Sequence, residues 1–129
     1  MKTISKDELE QLLKSKGIEH IDVSDNEYVL MSEKDIKRAK RILFLISLLP
    51  YRPQKRDCDD YAAFADALVR FFFGNMAFGI IWAEGLGNTQ GYHAANFFIT
   101  EEKQLKLYEP QNGKIFVFTP TGDRIKIFA

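Results

Sequence analysis

A chain of 129 residues, 46% hydrophobic and 28% charged, has the length and composition of one globular domain and lacks the polar bias of a disordered one. Eighteen basic residues balance eighteen acidic ones, so nothing in the overall charge points to nucleic acid or an anionic membrane as partner. A single cysteine excludes an internal disulfide. The longest apolar run, Ile42 to Leu49, is far too short to span a bilayer, and the charged N-terminus lacks a signal-peptide pattern, so a cytoplasmic domain is expected.

Ser5-Lys6-Asp7-Glu8 is a capping box that opens a first helix; Leu9, Leu12 and Leu13 recur at helical spacing, and Gly17 is the stop. A short extended stretch, Tyr28-Val29-Leu30, leads to Ser32, a second N-cap. The helix behind it is basic early (Lys34, Lys37, Arg38, Lys40, Arg41), apolar from Ile42 to Leu49, and ends at Pro50. A third helix is predicted from about Cys58 to Phe73, with Tyr61, Phe64, Ala65, Leu68 and Phe72 as its apolar stripe and Gly74-Asn75 as its stop.

From Phe78 the periodicity changes to that of strands: Gly79 to Ala83, His93 to Ile99, Leu105 to Glu109, Ile115 to Phe118 and Arg124 to Phe128, with turn signals at Asn112-Gly113 and Thr121-Gly122-Asp123. Helices followed by an antiparallel meander describe an α+β fold. We expect one domain over residues 1–129, in which 1–50 form a helical extension or lid and 51–129 the core. His20 has no evident partner and is expected at the surface.

Cys58 opens the third helix, where the positive end of the macrodipole favours thiolate. His93 and then Glu109 follow, in the order in which cysteine hydrolases use nucleophile, base and orienting group. The strand pattern tests this directly. His93, Ala95, Phe97 and Ile99 share one face, and Leu105, Leu107 and Glu109 share another. Burying the four apolar side chains Phe97, Ile99, Leu105 and Leu107 together puts His93 and Glu109 on the same side of the sheet. A three-residue hairpin loop sets Glu109 opposite His93; a five-residue loop sets Gln111 there and leaves Glu109 one diagonal away. Opposed Cβ atoms lie about 4.5 to 5.5 Å apart, within reach of an imidazole–carboxylate hydrogen bond. Asn96 falls on the other face and is a poor third member.

Cys58-Asp59-Asp60-Tyr61-Ala62, Gly91-Tyr92-His93-Ala94-Ala95-Asn96 and Leu107-Tyr108-Glu109-Pro110-Gln111 together resemble the papain-like superfamily. Within it they are most similar to the compact C-terminal protease module of the Marasmius oreades agglutinin family, which uses Cys, His and Glu in this order. The resemblance covers roughly residues 50 to 129 and implies a papain-like α+β fold, with the Cys-bearing helix packed on the sheet. It also implies an oxyanion hole built from Gln54, four residues before the cysteine, and the Cys58 amide; Gln90 is a substitute for Gln54. The agglutinin's sugar-binding domain has no counterpart here, so lectin activity is not carried over. The calcium activation of its protease raises a cation as a possible cofactor: Asp57, Asp59 and Asp60 are hard oxygen ligands, although no spaced calcium loop is present. Otherwise no cofactor is called for.

The function expected on this basis is a cysteine hydrolase acting on a peptide or protein through a thioester, with Cys58, His93, Glu109 and Gln54 catalytic and Trp82 and Tyr92 lining the substrate cleft. The alternatives are a transglutaminase-like acyltransferase with the same residues, or a non-catalytic binding module. Against an activated thiol stand Asp57, Asp59 and Asp60, whose charges oppose thiolate formation.

Overall fold

A computed structural model describes residues 1–48, 57–84, 92–117 and 125–129. In chain order the elements are β1 (Thr3–Ser5), α1 (Lys6–Ser15), β2 (His20–Asp22), β3 (Glu27–Val29), α2 (Glu33–Ser47), α3 (Cys58–Phe73), β4 (Phe78–Glu84), β5 (Tyr92–Ile99), β6 (Leu105–Glu109), β7 (Lys114–Val117) and β8 (Lys126–Phe128). The fold is mixed α+β, as expected. No helix among the described residues is long and apolar enough to cross a membrane.

The helix boundaries follow from local hydrogen bonding. Ser5 caps α1 by accepting the Glu8 N–H, and Ser32 with Asp35 forms a reciprocal capping box on α2. Gly17, at φ 86°, ends α1 in a Schellman turn: its N–H donates to the Lys14 carbonyl, while the Ile18 N–H reaches back to the Leu13 carbonyl at 3.2 Å. Leu13 and Ile18 then enter the same buried cluster. At the start of α3 the Asp57 N–H donates to Asp60 Oδ2 at 3.2 Å.

The strands form a pair, β1–β3, and a six-stranded sheet in the order β2-β8-β4-β5-β6-β7. The β4–β5, β5–β6 and β6–β7 pairings are the expected antiparallel meander, and β8 returns to pair antiparallel with β4. What the sequence pattern did not disclose lies at the N-terminal end. β2 adds to the sheet parallel to β8, and β1 and β3 form a ribbon of their own. His20 is the first residue of β2 and exposed.

Strand β5 organises the core. Its odd-numbered side chains Ala95, Phe97 and Ile99 join Leu9 and Leu13 of α1, Ile81, Leu107 and Ile127 in one buried cluster. Its Phe98 joins Leu43 and Ile46 of α2, Tyr61, Ala65 and Val69 of α3, Phe78 and Tyr108 in a second. Helices therefore cover both faces of the sheet. Gly79 on β4 is required where the backbone is most crowded: a Cβ there would lie 2.2 Å from the Phe128 carbonyl oxygen and 2.8 Å from Phe97 Cε1. Gly79→Ala is expected to cost about 3 kcal/mol by overpacking. The measurement is the midpoint of urea unfolding, and an unchanged midpoint would show that β8 yields at no cost.

Candidate thiol site

Cys58 is the first residue of α3, and its half-buried thiol lies by the backbone N–H groups of Ala94 and Asp59. Two opposed sets of forces act on it. Burial, followed by the charges of Asp59 and Asp57, pushes the thiol above its ordinary range, while the two N–H groups pull it down; the upward set wins. Ala94 directly follows His93 on β5, so the helix start and the histidine meet at the same end of that strand.

His93 Nε2 lies 2.5 Å from Glu109 Oε1, with the two side chains only 10% and 11% exposed. An ionised carboxylate only accepts, so Nε2 donates and the neutral imidazole keeps its lone pair on Nδ1. The second carboxylate oxygen accepts the Gln111 N–H at 3.3 Å. The hairpin register runs from Asn96↔Tyr108 to Ile99↔Leu105. This is the five-residue-loop case, in which His93 extends toward Gln111 and meets Glu109 on the diagonal. Lys103, at φ 62°, supplies the left-handed position that closes this loop.

Trp82 pairs across the sheet with Ala94, the residue that touches the thiol. Its half-buried ring stacks on that of exposed Tyr92, with centroids 5.3 Å apart and planes at 22°. Cys58, Trp82 and Tyr92 thus gather around Ala94, and His93 pairs with Glu109 at the same end of β5; Gln54 and Gln90 lie outside the described residues. Sequence reasoning missed two participants. The Ala94 amide is a backbone group that no residue pattern marks. Asn96, fully buried, donates from Nδ2 to the carbonyls of Ala62 in α3, at 2.9 Å, and of Gly79 in β4, at 3.0 Å. A lone amide inside Ala-Ala-Asn-Phe-Phe was the available signal.

Carboxylate oxygens of Asp57, Asp59 and Asp60 lie within 4.8 Å of one another. Calcium takes six to eight oxygens. Three carboxylates, one of them already accepting the Asp57 N–H, do not of themselves fit such a site, and they serve the N-terminus of α3 as a cap.

No protein-family model and no curated protein matches the chain. Solved structures share its fold, among them the following two. The chain is similar to that of a PSL1a–E64 complex, with a TM-score of 0.74 and 20% identity over 88% of this chain and 45% of the other. It is also similar to Polyporus squamosus lectin bound to the human-type influenza-binding epitope Neu5Acα2-6Galβ1-4GlcNAc, with a TM-score of 0.72 and 21% identity over the same shares. This corrects the expected kinship: these two structures are those of a lectin, and assignment to papain-like cysteine proteases, with the protease and triad vocabulary that came with it, does not stand. The chain spans less than half the length of the chains it matches, and at this identity the likeness is one of fold.

Proposed function

We propose that this domain is a binding module whose recognition surface is the Cys58 end of α3 together with Trp82 and Tyr92. The stacked aromatic pair carries the reading: two rings held against each other, one of them exposed, offer an apolar ledge to a ligand. The ligand class is a glycan, whose ring presents an apolar face for stacking and hydroxyls for the polar groups. The glycan-bound lectin of the same fold supports that class. It is more than twice the length of the matched region, and the transfer to this domain is part of the proposal. The thiol, held protonated by burial and by Asp59 and Asp57, acts here as a small polarisable contact.

One observation favours a second reading. A buried His93–Glu109 pair on β5, followed at once by the Ala94 that neighbours the helix-borne thiol, supplies the residue types of acyl chemistry. Cys58 would attack a carbonyl, its proton passing to His93 Nδ1 and from there to the leaving group. The thioester would then be resolved by water or by an amine acceptor. Glu109 would hold the ring in its Nε2–H tautomer.

Calorimetric titration with Neu5Acα2-6Galβ1-4GlcNAc and with shorter fragments of it tests the first reading. Binding that weakens at least tenfold in Trp82→Ala, and less than twofold in Cys58→Ala, is the expected result; no heat with any of these sugars would overturn the glycan assignment. The pH dependence of Cys58 alkylation by iodoacetamide separates the readings. In a binding module the inflection lies above the ordinary thiol value of about 8.5 and His93→Ala leaves it in place. In a nucleophilic site it lies below that value and His93→Ala abolishes it.

Under both readings Asp59→Asn removes a charge that opposes thiolate formation, so the inflection moves down. Alkylation at pH 7 then quickens by roughly twofold, a modest gain because Asp59 is exposed and screened. A slower rate in Asp59→Asn would show that its backbone placement outweighs its charge.

A further inference from the structure

We infer that Asn96 is the positioning residue of the Cys58 thiol: its side-chain amide clamps α3 to β4 and β5 and so seats the sulfur on the Ala94 N–H. The inference deepens the thiol reading and rests on it for any role in chemistry.

The argument is one of matched spacings. Cys58 and Ala62 lie one turn apart on α3, about 6 Å along its axis. Ala94 and Asn96 lie two residues apart on the same face of β5, about 6.7 Å along the strand. The thiol meets the Ala94 amide, and the Ala62 carbonyl meets the Asn96 amide at 2.9 Å. Two helix positions and two strand positions are therefore joined by two polar contacts, running in the same direction and at nearly the same interval. One contact leaves a helix free to pivot or slide; two fix its register along the strand. The second Asn96 bond, to the Gly79 carbonyl at 3.0 Å, ties the amide to β4 at the position where a Cβ cannot be accommodated. The clamp thus stands where β4, β5 and β8 approach closely.

The clamp is retained at a cost. Asn96 is fully buried, and its Oδ1 has no hydrogen-bond partner among the described residues. A buried acceptor in that condition is unfavourable, and an apolar side chain of similar volume would avoid it. Packing alone therefore does not account for an amide here, whereas positioning does. The neighbouring contacts of α3 are apolar: Tyr61, Ala65 and Val69 lie in the cluster with Phe98. Such contacts hold the helix against the sheet without selecting its register to within a hydrogen-bond length.

The test is the pH profile of Cys58 alkylation by iodoacetamide in the full chain, in Asn96→Leu and in Val69→Ala. Val69→Ala truncates a buried side chain of the same helix and matches the loss of stability without touching the clamp. In Asn96→Leu the sulfur loses the Ala94 N–H that favours thiolate. The inflection is then expected to rise by about one unit, a tenfold fall in thiolate at neutral pH, while Val69→Ala keeps the parent inflection. Asn96→Ala, compatible with a strand already carrying Ala94 and Ala95, gives the same readout where Asn96→Leu does not fold. An unchanged inflection in the Asn96 variants, or an equal rise in Val69→Ala, would overturn the inference. His93→Ala, measured beside them, reports on acyl chemistry separately: a thiol indifferent to His93 but sensitive to Asn96 would retire the catalytic reading and leave the clamp standing.

Discussion

Strand β5 has almost no solvent face. From His93 to Ile99 every residue is buried, with α1 and its cluster on one side and α2 and α3 on the other. A strand so enclosed must satisfy each polar side chain it carries from within the protein. Two interior residues of β5 have such side chains, and their donors are paired: His93 with Glu109 on one face, Asn96 Nδ2 with the carbonyls of Ala62 and Gly79 on the other, Asn96 Oδ1 alone being left over among the described residues. The site and the anchoring of α3 are therefore two consequences of one constraint. Asn96 fixes the helix, the helix presents Cys58, and the histidine arrives at the same strand end because it precedes the residue whose amide receives the sulfur.

Much of this was legible where a periodic pattern ran long enough to be enforced by burial. The alternation through β5 and β6 left a single way to bury Phe97, Ile99, Leu105 and Leu107 together, and that register carried His93 and Glu109 to one face. Only the loop length was open between three and five residues, and the left-handed backbone at Lys103 belongs to the longer one. Helix starts were legible for a similar reason: Ser5 and Ser32 announce themselves by the acidic residue three places on. β1, β2 and β3 are three residues each and too short to show a period; β2 is held by a parallel partner more than a hundred residues away. The amide of Ala94 was invisible in principle, since every residue but proline has one. The kinship was misjudged from short strings around Cys58, His93 and Glu109: residue order along a chain constrains geometry without fixing lineage.

The electrostatics of Cys58 show why position at a helix N-terminus does not settle reactivity. The macrodipole and the two N–H groups favour the anion. The same helix start attracts Asp57, Asp59 and Asp60, which cap it and complement its dipole, and which repel a thiolate for the same reason. Good capping and an activated sulfur compete for one patch of positive potential. With burial added to the carboxylates, the competition goes to the neutral thiol.

That outcome links the two functional readings. A binding surface needs rigid placement of its aromatic ledge, and the β4–β5 pairing provides it by setting Trp82 directly across from Ala94. A nucleophilic site needs in addition a source of positive charge close enough to overcome the carboxylates. His93, paired with Glu109, belongs to the face of β5 opposite Asn96, and must turn toward the helix start to serve as that source. The carboxylates at the start of α3 therefore weigh against the nucleophilic reading, while the β4–β5 pairing that holds the aromatic ledge does not depend on the charge of the sulfur.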